Sequence, residues 1–171
     1  MSIDTSLVCS KLQQGRETIV ALCSHIDDDA WRWRPAVGKW SLLEVINHLA
    51  DEEKDDFRKR IDLLVHQPGA PWPAIDPEGW SVSRKYNEQD PAASLQRFVQ
   101  ERAASLEWLA QLRSVDWDAT YAHQSGPLRA GDLLLSWMVH DDLHGRQMLR
   151  IQHERALHMA VPYSAAYAGA W

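Results

Sequence analysis

The chain lacks several features that would assign it to a common class. It has no run of about 18 apolar residues, so no membrane-spanning segment is predicted. It has no run of lysine and arginine longer than three residues (58–60), and its formal net charge of -6 argues against a nucleic-acid-binding surface. Its N-terminal residues also lack the basic and apolar segments of a secretory signal peptide. We therefore expect a cytoplasmic protein that binds neither membrane nor nucleic acid.

Cysteine is also scarce, whereas tryptophan is abundant. The two cysteines, Cys9 and Cys23, are too few for a disulfide scaffold and form no CxxC pair, as expected in a reducing cytoplasm. Nine tryptophans in a chain that is 45% hydrophobic predict a packed aromatic core or an aromatic-lined pocket. The length and composition fit one globular domain that covers residues 1–171.

No segment shows a convincing strand pattern, whereas four segments show the apolar spacing of helices. These helices are predicted at about residues 5–25, 42–65, 91–113 and 130–153. Ser41 and Glu44 form a capping-box pattern before the second helix, and Asp90 with Pro91 marks the start of the third. The proline-rich loop between these two helices is longer than bundle connections usually are. We predict an all-α four-helix bundle.

Two histidines, His140 and His144, lie four residues apart in the fourth helix. Side chains at this spacing project from one helix face, so the pair can offer two nitrogens to one tetrahedral metal. Eight histidines placed at random give roughly 0.4 pairs at this spacing, so the pair alone is weak evidence. Both lie on the apolar stripe of the helix, where a buried polar group needs a partner. That partner is either a shared metal or separate hydrogen-bonding groups in the core.

His48, at an inward-facing position of the second helix, supplies a third candidate ligand. Three protein ligands with an open fourth position are typical of catalytic zinc. Glu52 shares the helix face of His48 and has three candidate roles, as hydrogen-bond acceptor for an imidazole, general base or fourth ligand. A rim carboxylate in the acidic run at residues 51–53 is the plainer interpretation of Glu52. His123 lies in the loop before the fourth helix and could reach the mouth of the bundle. The other four histidines are not expected to bind the metal: His25, His66, His153 and His158.

Taken together, these residues resemble the DinB-like, or YfiT-like, four-helix-bundle family. The similarity covers nearly the whole chain and is carried by the stretches RPAVGKWS (34–41), EVINHLADEE (44–53) and WMVHDDLHGRQ (137–147), with Trp80, Arg84, Tyr86 and the chain end at 167–171. The resemblance implies an up-down-down-up helix order, a long crossover between the second and third helices, and assembly as a homodimer. It also implies one divalent metal, commonly zinc or nickel, bound by three histidines that match His48, His140 and His144.

Characterised members of this family include bacillithiol transferases and a mycothiol-dependent maleylpyruvate isomerase. The resemblance therefore implies a metal-dependent transferase that acts on a small molecule through a low-molecular-weight thiol. A metal-dependent hydrolase at the same three histidines and a non-catalytic metal-binding stress-response bundle are the alternatives. A di-iron bundle is disfavoured, because it needs paired Glu-x-x-His motifs that the sequence does not supply. Three tryptophans are candidates to line the mouth of the site: Trp40, Trp80 and Trp137.

Overall fold

The structure, a computed structural model, describes residues 3–123 and 126–169. Within these residues the chain forms seven α-helices and one two-stranded hairpin. The helices are α1 (Thr5–Leu22), α2 (Asp28–Arg32), α3 (Leu42–Asp51), α4 (Arg58–His66), α5 (Pro77–Ser83), α6 (Pro91–Gln111) and α7 (Ala130–Met159). The π-helical segment Glu52–Phe57 joins α3 directly to α4, and the antiparallel strands β1 (Thr120–His123) and β2 (Gly126–Arg129) precede α7.

The predicted four-helix bundle is confirmed, with α1, the run from α3 to α4, α6 and α7 as its long helices. The ends of these helices differ from the predicted ends mainly in α7, which continues to Met159 instead of ending near residue 153. The prediction that the chain contains no strand was wrong, because strands of four residues are too short to show a period-two pattern. In the described part of the chain, no helix is long and apolar enough to cross a membrane.

The start of α3 is fixed by the predicted capping box. The hydroxyl of Ser41 accepts a 3.2 Å hydrogen bond from the backbone N–H of Glu44, and the Glu44 carboxylate accepts a 2.8 Å bond from the backbone N–H of Ser41. Arg34 donates two further bonds to the same carboxylate, of 2.8 and 2.6 Å. The loop before the helix is therefore tied to its first turn, which sets the direction in which α3 enters the bundle.

Every residue of α3 is buried, so its polar side chains need partners within the protein. Asn47 donates to the carbonyl oxygen of Tyr86, and Asp51 accepts hydrogen bonds from Tyr86 and Arg84. His48 differs from these residues, because its ring Nδ1 atom is buried and has no hydrogen-bond partner among the described residues. The helix thus places one incompletely satisfied imidazole inside the bundle.

A layer of charged residues divides the apolar core into two halves. One half surrounds α3, and the other surrounds α4. Between them lies Arg102 of α6, which is fully buried and donates hydrogen bonds to Glu53 and Asp141. Gly15 of α1 lies against this layer, because a Cβ atom there would come within 2.0 Å of Asp141 Oδ2. Arg102 and its partners therefore connect α1, the π-helical segment, α6 and α7, beside His140.

Candidate metal centre

Three histidines from two helices meet next to the charged layer. His48 lies on α3, whereas His140 and His144 lie one turn apart on α7. The Nε2 atom of His144 is 3.2 Å from Nε2 of His48 and 3.1 Å from Nε2 of His140. Among the described residues, no cysteine, aspartate or glutamate joins the three in a cluster whose candidate ligand atoms lie within 4.8 Å of one another. The structure brings together the three predicted ligand residues and leaves them as a purely nitrogen donor set.

The spacing of the three nitrogens fits one metal ion. Two nitrogens bound to a tetrahedral zinc at about 2.0–2.1 Å lie about 3.3 Å apart. The separations of 3.1 and 3.2 Å around His144 Nε2 are close to that value. The planes of the three rings meet at 54°, 55° and 69°, so the rings do not stack face to face. An ion at the common centre is compatible with this arrangement.

The hydrogen bonds of His144 favour a metal over a network of imidazoles. Its Nδ1 atom donates a 2.8 Å hydrogen bond to the side-chain oxygen of Gln147, which can only accept. The neutral ring then has a single lone pair, on Nε2, and that lone pair cannot form good hydrogen bonds to both neighbouring imidazoles. A metal ligand needs the same tautomer, with the proton on Nδ1 held by an outer partner.

All three imidazoles are neutral at physiological pH. Burial lowers the pKa of His48 far below its ordinary value, and the neighbouring rings of His144 and His140 lower it further. Burial, followed by the charges of His144 and Arg102, lowers the pKa of His140 to about 3. Burial also lowers the pKa of His144, against the hydrogen bond to Gln147. Neutral imidazole is the form that binds a metal, so the electrostatics match the geometry.

Glu52 lies on the opposite side of the His48 ring from the converging Nε2 atoms. Its Oε1 atom is 3.8 Å from His48 Nδ1, which is too long for a hydrogen bond, and both atoms are buried without a partner. A small movement of either side chain would let His48 Nδ1–H donate a hydrogen bond to a carboxyl oxygen of Glu52, and bonds of this kind orient metal-binding histidines. The interpretation of Glu52 as a rim carboxylate was wrong, because only 4% of the residue is exposed.

The π-helical turn carries a row of buried charged groups away from the histidines. Burial raises the pKa of Glu52 to about 9, and the hydrogen bond and charge of Asp56 add to the effect. Asp56 in turn lies 2.9 Å from Nε of Arg60, one turn further along. At neutral pH Glu52 is therefore a protonated carboxyl group that can donate one hydrogen bond and accept another. Isolated π-helical turns within α-helices are frequent at functional sites.

Two aromatic rings pack against the ligand residues. The ring of Trp40 is 4.9 Å from that of His48, and the ring of Phe57 meets His140 edge-on at 5.1 Å. Trp40 comes from the loop before α3, and Phe57 comes from the end of the π-helical turn. These rings provide an apolar boundary on two sides of the nitrogen cluster, which limits access of water.

The other two tryptophans predicted at the mouth lie elsewhere. Trp137 is buried in the core, where its Nε1 atom donates a 2.7 Å hydrogen bond to Glu53. Trp80 lies on α5, where the guanidinium of Arg84 stacks 4.1 Å from its ring. Trp137 lies on the inward face of α7, and an inward face leads to the core as readily as to the mouth of a site.

The remaining candidates for metal binding are separated from the three histidines. His123 lies at the end of β1, with its ring 6.4 Å from that of Trp72, and is not part of the nitrogen cluster. A di-iron site would need carboxylates close in sequence to these histidines. The nearest, Glu44 four residues before His48 and Asp141 three residues before His144, are held by Arg34 and Arg102. The structure therefore supplies no free carboxylate from these positions to a second metal.

Sequence reasoning missed two residues that support the site. Gln147 holds the Nδ1 proton of His144, and its position three residues later on the same helix face was a usable signal. Arg102 organises the charged layer, but its partners lie 39 and 49 residues away in sequence. In the sequence, the only sign of this buried arginine was its position within an otherwise apolar stripe of the third predicted helix.

The comparisons with known proteins agree with this geometry. A family model described as the DinB superfamily matches residues 11–148, which is more than half of the chain. The chain belongs to the DinB superfamily. The DinB-like bundle, with its up-down-down-up order and long crossover between α4 and α6, is thereby confirmed. No curated protein matches the chain by sequence.

Solved structures of similar fold include YfiT from Bacillus subtilis, described as a probable metal-dependent hydrolase with an unusual four-helix bundle topology. The two share 16% sequence identity, and the match covers 91% of each chain with a TM-score of 0.78. A mycothiol-dependent maleylpyruvate isomerase and its histidine-to-alanine mutant match with TM-scores of 0.67 at 12% and 11% identity. That match covers 85% of this chain and 61% of the isomerase. At such low identities the likenesses show a shared fold.

Proposed function

We propose that His48, His140 and His144 hold one divalent metal ion, and that the protein is a metal-dependent transferase acting on a small molecule through a low-molecular-weight thiol. The convergence of three neutral imidazole nitrogens carries this proposal. Such a set leaves a fourth coordination position for an exogenous ligand. A thiol bound at that position would be deprotonated by the ion, and a water molecule bound there would have a lowered pKa.

The surroundings of the histidines favour a thiol as that ligand. A thiol has an ordinary pKa near 8.5 and is deprotonated by the ion itself, so no protein base is required. Among the described residues, no carboxylate joins the nitrogen cluster. Glu52 lies beyond the far side of the His48 ring, and its raised pKa keeps it protonated at neutral pH, so it is not available as a base there. Of its three predicted roles, orientation of His48 suits this position best.

Hydrolysis at the same ion is the second candidate. The observation that favours it is the likeness to YfiT, the probable hydrolase, over 91% of both chains. A bound hydroxide would take the place of the thiolate and use the same three ligands. The likeness to the mycothiol-dependent isomerase supports the thiol version in the same way. A non-catalytic metal-binding bundle predicts retained metal without turnover of either kind.

Four finer assignments belong to the same proposal. Zinc or nickel suits an all-imidazole donor set, because imidazole is a borderline ligand that binds both ions well. Glu52 is assigned a role in catalysis through its positioning of His48. The protein is taken to act in the cytoplasm, as one domain over residues 1–171, and to assemble as a homodimer. These assignments rest on composition and on the family resemblance.

Metal analysis tests the site without knowledge of a substrate. Protein purified without a polyhistidine tag should contain about one equivalent of zinc or nickel per chain, and H140A and H144A should each lose it. H66A is the matched control, because His66 binds Asp62 at 2.9 Å at the exposed end of α4 and should keep the metal. Stoichiometric metal in both H140A and H144A would show that these residues are not the ligands.

Activity assays then separate the two reactions. The metal-loaded protein is incubated with an electrophile and a panel of physiological thiols, and separately with ester and amide substrates without thiol. Turnover that needs both metal and thiol supports the transferase, whereas thiol-independent cleavage supports the hydrolase. Absence of metal-dependent turnover in both panels, with metal bound at one equivalent, would contradict an enzymatic function.

A further inference from the structure

A pocket of about 400 Å³ lies between the loop that precedes α3 and the C-terminal half of α7. Two of the residues that line this pocket also contact the ligand histidines. The ring of Trp40 is 4.9 Å from that of His48, and the side-chain oxygen of Gln147 accepts the hydrogen bond from Nδ1 of His144. The pocket therefore adjoins the nitrogen cluster, and we call it the cluster-side pocket.

Two cationic side chains line the cluster-side pocket, Lys39 from the loop and Arg150 from α7. Among the described residues, the ammonium group of Lys39 has no hydrogen bond or ion pair. Arg150 donates a 2.7 Å bond to Glu154 through Nε, and in the described part of the chain its two terminal nitrogens have no partner. Glu154 is the one acidic side chain among the described residues that line the pocket. Positive charge is thus in excess there, although the chain as a whole has a net charge of -6.

The two cations are held by contacts that do not involve a ligand. Glu154 fixes the guanidinium of Arg150 by its Nε, so the terminal nitrogens stay free to bind both oxygens of a carboxylate. The loop that carries Lys39 is tied to α3, because Arg34 donates two hydrogen bonds to Glu44. A planar anion that meets this pair of cations needs little rearrangement of the protein, which favours binding.

The position of Arg150 sets the length of a molecule that reaches both the pocket and the metal. Arg150 follows His144 by six residues, which corresponds to about 9 Å along an α-helix. An extended chain spans at most about 3.3–3.6 Å per residue. Free cysteine carries its sulfur and its carboxylate on a single residue and is too short for this span. A thiol of the size of a tripeptide can place sulfur at the histidines and a carboxylate between Lys39 and Arg150.

We propose that the cluster-side pocket binds a carboxylate of the thiol, so that the thiol this protein uses is an acidic, peptide-sized molecule whose carboxylate lies about 9 Å from its sulfur. The inference rests on the proposed function, because it places the sulfur at a metal held by the three histidines. It adds the part of the thiol that is recognised and names Lys39 and Arg150 as the residues that recognise it.

Thiol titrations of cobalt-substituted protein, followed by the thiolate-to-cobalt absorption band, test the proposal. Glutathione is the probe, and it should bind at least about tenfold more tightly than its diethyl ester, in which both carboxylates are neutral. The variant K39M/R150M should reduce this preference to less than about threefold. Its affinity for 2-mercaptoethanol, which has no carboxylate, should equal that of the wild type. K59M is the matched control, because Lys59 is exposed on α4 outside the pocket, and it should keep the full preference.

A second measurement separates failure of the pocket from failure of the proposed function. S-methylglutathione keeps both carboxylates but cannot form a thiolate. In nitrogen–proton correlation spectra, millimolar S-methylglutathione should shift the indole N–H signal of Trp40, assigned with W40F, in the wild type and in K59M. The same signal should not shift in K39M/R150M.

The outcomes are distinct. Equal affinities for glutathione and its diester, with the absorption band present, would overturn the carboxylate pocket and leave thiol binding intact. Absence of the band with every thiol would contradict the proposed function, and the Trp40 signal then decides the pocket alone. A shift that is lost in K39M/R150M supports the pocket. No shift in the wild type, or an equal shift in K39M/R150M, overturns it.

Discussion

Replacement of Arg102 by methionine is the most direct test of how the charged layer supports the bundle. The guanidinium donates hydrogen bonds of 2.6 and 2.8 Å to the two oxygens of Asp141, 2.7 Å to Glu53 and 2.7 Å to the carbonyl of Leu12. No part of Arg102 is exposed to solvent. Methionine fills the space of the aliphatic stem but removes the charge and all four hydrogen bonds. Two carboxylates and one carbonyl group then lose the guanidinium, and Glu53 keeps only its hydrogen bond from Trp137.

The size of the effect follows from this burial. Removal of one partner from a buried ion pair costs about 3–5 kcal/mol, because the remaining charge is desolvated without compensation. Burial opposes the charge on Arg102, but the bonds and charges of Asp141 and Glu53 outweigh burial and raise its pKa. The pairing is therefore strong enough to keep both signs of charge inside the core. The free energy of unfolding of an ordinary domain is about 5–15 kcal/mol, so R102M would lose a large fraction of this stability.

Guanidinium chloride unfolding, followed by tryptophan fluorescence and circular dichroism, measures the loss. A chelator is present throughout, so that bound metal does not contribute to stability. R150M is the matched control, because Arg150 pairs with Glu154 at 2.7 Å but is 71% exposed, and it should lose less than about 1 kcal/mol. Neutralising the stranded carboxylates in R102M/E53Q/D141N should recover part of the loss. A free energy of unfolding for R102M as close to the wild type as that of R150M would refute the reasoning.

Three further predictions follow from the same contacts. G15A should lose about 1–3 kcal/mol despite the higher helix propensity of alanine, because its Cβ atom would lie 2.0 Å from Asp141 Oδ2; thermal melts of both proteins measure the loss. E52Q should flatten the pH dependence of stability. Burial raises the pKa of Glu52 from 4.5 to about 9. In wild-type protein with a chelator present, the stabilising contribution of Glu52 is therefore complete below about pH 4.5 and is lost as the pH rises toward 9. Unfolding curves at pH 6 and 9 compare the two proteins. Q147A should weaken metal binding by about 10–100-fold in chelator competition, because His144 Nδ1 loses its hydrogen-bond acceptor, and an unchanged affinity would contradict the role given to Gln147.

The parts of the fold that the sequence predicted are those encoded by neighbouring residues. Helix starts were readable because a cap and its partner lie three residues apart, as Ser41 and Glu44 do. The three histidines were readable because each lies on an apolar helix stripe, and only the inward faces of the helices can meet. His140 and His144 needed no tertiary information beyond this. The pairing with His48, 96 residues from His144, needed the bundle and the family resemblance.

The parts that were missed depend on contacts between distant residues. The π-helical turn at Glu52–Phe57 has no propensity signal of its own, and it was included in a continuous helix. Its acidic residues predict a solvent-exposed face, because charged residues are rarely buried unless they are paired. Glu53 is buried because Arg102 and Trp137 both bind it, and neither partner can be identified from spacing along one helix.

The position of Arg102 bears on the metal as well as on stability. Its partner Asp141 directly follows His140 in sequence, and its partner Glu53 lies two residues after the end of α3, the helix that carries His48. Three nitrogens from α3 and α7 must stay about 3.3 Å apart to share an ion, so the relative position of the two helices must be fixed to a fraction of an ångström. Two helices can slide past each other more readily across a purely apolar core than across a core that contains a bidentate arginine–carboxylate pair. We therefore expect folded R102M to bind metal more weakly than R150M in chelator competition. The competition is measured without denaturant, at a temperature well below the melting point of R102M. Equal affinities in the two variants would mean that the charged layer stabilises the bundle without positioning the histidines.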